Sequence, residues 1–339
     1  MTDTASHPLS QAQRDDLLDR LAQEYRDLNG ASVDVWTHTP SAIQFARMVN
    51  VGRPVLFKNG RPQNLPALTK WTNQYLVSSM GDRKVTVAVT PDGRADALCT
   101  LPDGVRCFAE PHTELLTMGE LLNAINMSEQ EASSEVRYLQ SQNGNMYTAT
   151  DFEPGSESAS ELAPLLSDVP REVSWASEAL DRTPDAVNIW IGGSRSVTSI
   201  HSDPYENIYT VVRGAKHFIL LPPTEGHTLH EQRVPHAHYI RPSPASALQL
   251  ELLDPPSTVR WASADPSNKE HALRVTVQRG ESLYLPAGWW HHVAQSGDEE
   301  GVCIAVNWWY DVEMSGMKWV WMSFLRRMAA PGSEEELEN

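Results

Sequence analysis

The pattern of apolar and polar positions divides the chain into helices that frame a run of short strands. Near the start, Leu17, Leu18, Leu21, Tyr25 and Leu28 share one helical face, and Ser10 followed by Gln13 forms a capping-box pattern, so a helix is predicted over 10–28. Shorter helices are predicted over 45–51, 71–80 and 119–125, with strands over 55–58, 84–89 and 136–140. From residue 188 the period changes to two. Strands are predicted over 188–191 and 206–212, flanking a short loop with His201, Ser202 and Asp203, and an Arg213-Gly214 turn leads to a third strand over 216–221. Further on, Gly280 opens a strand, Pro286 to Gly288 turn the chain, and Trp289-Trp290-His291-His292 begin the next strand.

Three stretches break this pattern. The polar segment 150–160 reads as a loop, and the Pro-rich segment 226–271 reads as an irregular surface insert that frames the rim of any site the strands build. A closing helix is predicted over 312–328, with Met314, Met317, Trp319, Val320, Trp321, Phe324 and Leu325 making a large apolar face. The acidic tail 331–339 reads as disordered.

Charge and composition narrow the class. The 339 residues carry 44 acidic against 27 basic side chains, a net −17, which argues against a protein that binds by neutralising nucleic-acid phosphates; it would suit basic peptide partners, but from charge alone an acidic surface that confers solubility is the preferred reading. No apolar run approaches the ~18 residues of a membrane span. The polar start MTDTASHPLSQ lacks a signal-peptide layout, so the expected address is cytoplasmic, with the nucleus also open. Cys99, Cys107 and Cys303 form no Cys-x-x-Cys pair, so neither a disulfide framework nor a zinc ribbon is indicated. His227, His230, His236 and His238 in the insert match no tight zinc spacing and are expected to be surface histidines.

The candidate chemistry lies in His201-x-Asp203. On an extended segment, residues two apart point the same way, so an imidazole and a carboxylate can reach one cation. His291, at the start of a distant strand, is the candidate third ligand. Two His and one carboxylate with open positions is the arrangement of non-haem Fe(II) oxygenases, whereas zinc more often takes four protein ligands, or three with a water. The strands, Gly/Pro turns and His-x-Asp…His set fit an all-β core with flanking helices, a double-stranded β-helix or cupin/jelly-roll barrel.

His201-x-Asp203, His291 and the segment Val302-Cys-Ile-Ala-Val-Asn307-Trp-Trp309-Tyr resemble the Jumonji-C family of Fe(II)- and 2-oxoglutarate-dependent oxygenases. Segments 86–93, 173–180 and 184–190 resemble the peptidyl-lysine 3-hydroxylase subgroup, and the chain is also similar to the asparaginyl hydroxylase of hypoxia-inducible factor. The resemblance implies iron held by His201, Asp203 and His291, and Lys216 pairing with the distal carboxylate of 2-oxoglutarate. It assigns Tyr138, Thr198, Asn207 and Asn307 to the same co-substrate and leaves His292 on the other face. It further implies O2 as oxidant and a lysine of a cytoplasmic protein as substrate, such as a developmentally regulated GTP-binding protein. Asp311 and Glu110 are candidate acids for that lysine. The family precedent also implies a homodimer through the C-terminal helix. Alternatives are a histone lysine demethylase, a histone-tail endopeptidase and a non-catalytic cupin binding module. The expected organisation is 1–135 bracing the barrel, 136–311 as Jumonji-C core with the 226–271 insert, 312–330 as closing helix and 331–339 as tail.

Overall fold

The computed structural model describes residues 9–131, 135–141, 144–153, 160–313 and 316–329. Two sheets face each other across the barrel. One runs in the order Asp34–Trp36, Val55–Phe57, Ser282–Leu285, Tyr205–Arg213, Cys303–Asp311, Ala186–Gly192 and Tyr147–Thr148. The other runs Leu273–Gln278, Ala215–Leu221, Trp290–Ser296, Val197–Ser202 and Arg94–Ala95.

Alternation along the strands explains how the first sheet is covered on both sides. Tyr209, Val211, Leu283, Leu285 and Ala305 pack inward against Phe218, Leu220, Val277 and Val293 of the second sheet. Their neighbours Ile208, Val212, Tyr284, Ile304 and Val306 point outward, onto a helical layer that includes Phe45, Leu76, Leu121 and Trp175. Every residue of Cys303–Asp311 but the last is therefore buried, and the strand reads as a continuous apolar run rather than an alternating one. Phe45 joins the layers, meeting Trp175 and Tyr284 edge-on at 4.8 and 4.9 Å between ring centroids.

Local signals set the element ends. Gln11–Asn29 and Ala42–Val51 start at Ser10 and Ser41, each with a capping box, and Met118–Gln130 starts the same way at Thr117. In the turn between Tyr205–Arg213 and Ala215–Leu221, Gly214 has φ +67°, and a Cβ there would lie 2.3 Å from the Ser296 carbonyl oxygen, so only glycine fits.

Four expectations need correction. The segment read as a loop contains a strand, Val197–Ser202, that carries both His201 and Ser202. Its polar composition hid it, and a register shift between Thr198 and His201 breaks the simple alternation. The insert read as irregular holds the nine-residue strand Gln232–Ile240, which pairs with Gln249–Leu252, Thr258–Trp261 and Arg106–Glu110. Pro235 and its histidines disguise that strand. Its histidines are not simply superficial: His230 is exposed, whereas His227, His236 and His238 are half-buried. The helix read over 71–80 starts later, at Asn73, where Thr72 caps it, and a separate short helix, Ala67–Lys70, precedes it.

The fourth correction concerns the closing helix, which begins at Met317, with Val312 and Glu313 outside it. Met314, the tail 331–339 and residues 154–159 of the predicted loop lie outside the described residues, while Ala149–Phe152 forms a 3-10 turn.

Candidate metal centre

The central pair of strands brings the two histidines together. Val197–Ser202 and Trp290–Ser296 are antiparallel neighbours with His201 opposite His291, and the two rings stand 4.2 Å apart between centroids. Asp203 follows the end of the first strand. Its Oδ1 is 3.7 Å from His201 Nε2 and its Oδ2 is 3.5 Å from His291 Nε2, and one ligand atom from each residue falls within 4.8 Å of the others.

The backbone fixes which ring nitrogen faces this space. His201 Nδ1 donates to the Ser199 carbonyl at 2.8 Å, and His291 Nδ1 donates to the Trp289 carbonyl at 3.0 Å. A carbonyl can only accept, so each Nδ1 carries the proton and each Nε2 presents a lone pair toward Asp203. Two orientated imidazoles and a carboxylate on one face fit a divalent metal that keeps open positions.

Burial, then the neighbouring His201, pushes His291 down to about 4, so its ring stays in the neutral, ligating form in mildly acid solution. The sign of the stability effect follows. A histidine whose folded value is depressed contributes nothing adverse above its unfolded value near 6.5 and costs stability as pH falls from there toward 4. Between pH 7 and pH 5 the metal-free protein is expected to lose about 2 kcal/mol through this residue. Urea unfolding of the parent and of His291→Asn checks this, and equal pH slopes in the two would contradict it.

Beside the triad lies a cavity lined by Tyr138, Thr198, Asn207 and Asn307, and by His201, Asp203 and His291 themselves. The strand irregularity explains how Thr198 and His201, three residues apart, both face it. Asn307 Nδ2 donates to Asn207 Oδ1 at 3.2 Å, while its Oδ1 accepts from Asn188 Nδ2 at 3.3 Å and Trp190 Nε1 at 2.9 Å, so the amide is locked. Lys216 sits behind Tyr138. Its buried ammonium donates to the Tyr138 hydroxyl at 3.0 Å and to Gln295 Oε1, and no carboxylate among the described residues lies within ion-pair distance. The free space at the centre is small, about 30 Å³.

Sequence reasoning thus placed eight residues that the fold gathers at one locus, and it missed three others. Gln295 orients Lys216 and donates to the Gly193 carbonyl at 2.6 Å; period-two counting from His291 through Val293 would have found it. Trp190 holds Asn307. Trp261, from the insert, lies parallel to His201 at 6.3 Å between centroids, and no local pattern announced it. His292 faces away from the triad side, as its alternation implies; its Nδ1 has no hydrogen-bond partner. Of the candidate acids, Asp311 is taken by Arg182 at 3.0 Å, and Glu110 lies 3.1 Å from His236.

A double-stranded barrel with a His-Asp-His face defines a class, and comparison with known proteins agrees. The cupin-like domain family matches residues 40–316, and the chain belongs to this family, in its Jumonji-C oxygenase branch. It is 35% identical over 331 residues to the lysine-specific demethylase JMJ32 of Arabidopsis thaliana, covering 92% of this chain and 91% of the relative. It is 38% identical over 286 residues to the human bifunctional peptidase and (3S)-lysyl hydroxylase JMJD7, covering 81% and 82%. A third relative, JmjC domain-containing protein E of Dictyostelium discoideum, is 31% identical over 342 residues, covering 92% and 93%.

Proposed function

We propose that the chain is an Fe(II)- and 2-oxoglutarate-dependent hydroxylase that acts on a lysyl residue of a GTP-binding or other cytoplasmic protein. The observation that carries this reading is the conjunction of three convergent metal-ligand side chains at one cavity with a buried ammonium, bonded to the cavity-lining Tyr138 hydroxyl, that has no carboxylate partner among the described residues. His201, Asp203 and His291 would hold the metal. Lys216 would meet the distal carboxylate of 2-oxoglutarate as a point charge, with the Tyr138 and Thr198 hydroxyls and the Asn207 and Asn307 amides as further polar contacts. When bound, Fe(II) with 2-oxoglutarate and O2 supplies the oxidising power for C–H hydroxylation, the co-substrate leaving as succinate and CO2.

The chain's own residues do the rest. The Ser199 and Trp289 carbonyls keep the ligand nitrogens deprotonated and aimed, and Trp190, Phe218 and Trp309 wall the cavity against water. Which atom of the substrate is oxidised depends on which carbon is held at the metal.

Incubation of the protein with Fe(II), 2-oxoglutarate and a lysine-containing peptide separates the readings. One added oxygen on lysine is the expected result. Loss of a methyl group from methylated lysine would favour the demethylase chemistry named for the Arabidopsis relative, and a cut peptide would favour the peptidase activity named for the human one. No turnover of 2-oxoglutarate would point to a binding module.

The same reading includes a homodimer through Met317–Ala329. That helix buries Leu325 and leaves Met317, Val320, Trp321 and Phe324 exposed, with the Trp321 and Phe324 rings stacked at 5.5 Å. Trp321→Glu is expected to convert a sedimenting dimer to monomer, and a parent that sediments as a monomer would contradict the assignment.

A further inference from the structure

We propose that Asp96 is the counter-ion for the ammonium group of the substrate side chain, an inference that rests on reading the site as a lysyl hydroxylase. Asp96 links the strands Arg94–Ala95 and Ala97–Thr100. Arg94–Ala95 runs parallel to Val197–Ser202, with Ala95 opposite Thr198, a residue of the cavity. The next residue, Asp96, therefore lies toward the His201 end of that strand. Its carboxylate accepts an N–H from Gln140 Nε2 at 3.2 Å. Gln140 is two residues past Tyr138 and shares its side of the chain.

The sheet order makes the arrangement meaningful. Lys216, His291, His201 and the Arg94–Ala95 edge that leads into Asp96 occupy four successive strands, so the two histidine strands lie between a buried cation and a half-buried anion. Lys216 has no carboxylate within ion-pair distance, and Asp96 has no lysine or arginine within ion-pair distance among the described residues. The charged groups that act on Asp96 are His201, Glu110 and His236. Burial, with Glu110 adding to it, lifts the Asp96 carboxyl above its ordinary range, while His201 pulls it back. Half-burying an acid on one amide hydrogen bond carries a cost, and an arriving ammonium removes it. The backbone adds a second sign: φ at Asp96 is +51°, a conformation that non-glycine residues rarely hold and that Asp and Asn tolerate best.

The surroundings suit a lysine in particular. Trp261 lies parallel to the His201 ring, and Phe108 of Arg106–Glu110 meets Trp261 at 4.5 Å, so an aromatic wall built from the insert and that strand borders the metal centre. Four methylenes against an apolar wall with an acid at the tip match a lysine side chain. Glu110 is half-exposed beside His236 and contributes field at the rim rather than the ion pair itself.

The test uses the full chain loaded with Mn(II) and 2-oxoglutarate, and fluorescent degenerate heptapeptide pools with a fixed central lysine or norleucine. The parent is expected to bind the lysine pool about tenfold tighter than the norleucine pool, and Asp96→Asn to reduce that ratio to about twofold or less. Mn(II) and 2-oxoglutarate affinities are expected to stay unchanged, which reports that the variant is folded; asparagine accepts the positive φ. A lysine preference retained in Asp96→Asn overturns the inference, and so does a parent with no preference, a result that needs no variant. A parent that binds neither Mn(II) nor 2-oxoglutarate overturns instead the reading of the site on which the inference rests.

Discussion

Asp203→Ala is expected to abolish 2-oxoglutarate turnover while leaving the barrel folded. The side chain would serve the metal rather than the core: it lies just past a strand end, and its contacts among the described residues are the two histidine nitrogens at 3.7 and 3.5 Å. The fold uses its backbone instead, where the Asp203 carbonyl accepts from the Gly288 N–H at 2.8 Å, and alanine keeps that bond. Loss of groups that merely support a ligand weakens metal binding by about 10- to 100-fold, so loss of a ligand itself should exceed that. His201→Ala should behave alike. Metal content and 2-oxoglutarate consumption, measured beside the thermal unfolding curve, check this. Turnover at the parent rate in either variant would remove that residue from the triad.

The second large effect belongs to Lys216. Lys216→Met is expected to lower 2-oxoglutarate affinity about 100-fold, or about 3 kcal/mol, because a charge-assisted contact in a dry site is lost. Its effect on the free protein should be smaller than that of an ordinary core substitution. Methionine fills similar volume and forfeits two charge-assisted hydrogen bonds, to the Tyr138 hydroxyl and Gln295 Oε1, about 1.5–3 kcal/mol each. It also removes an ammonium buried without a carboxylate partner among the described residues, a burden of several kcal/mol. The two terms roughly cancel, so the melting temperature of the ligand-free variant should change little, while the stabilisation that 2-oxoglutarate gives the parent should disappear. An unchanged affinity would exclude Lys216 from the site, and a destabilised variant would mean that the ammonium is better compensated than its neighbours indicate.

These two residues also illustrate what could be read in the chain before its fold. His201, Asp203 and His291 stand out because alternation along strands is strict, so an His-x-Asp pair and a later histidine at a strand start can converge. The helix that begins after Ser10 was marked by a capping box whose role is local. The role of Lys216 came from resemblance, since one lysine in a strand looks like any other until its burial is known.

What escaped reading is non-local. Thr198 and His201 share a face only through a register shift that depends on the partner strand Trp290–Ser296. Trp261 and the strand Gln232–Ile240 belong to a segment whose prolines and histidines obscure any period, and their pairing partners include residues 106–110, far earlier in the chain. Asp96 is more hidden still. Its neighbours Gln140, His201 and Glu110 come from three separate parts of the chain, and its left-handed backbone has no sequence signature in a non-glycine residue.

The most direct measurement of the central claim is an anaerobic titration of 2-oxoglutarate into Fe(II)-loaded protein, followed by the visible charge-transfer absorption that a 2-oxo acid chelating Fe(II) produces. The account predicts a saturable band at one equivalent, absent without Fe(II), absent in Asp203→Ala, and requiring much higher 2-oxoglutarate in Lys216→Met. A parent protein that takes up Fe(II) yet develops no band at saturating 2-oxoglutarate would contradict it.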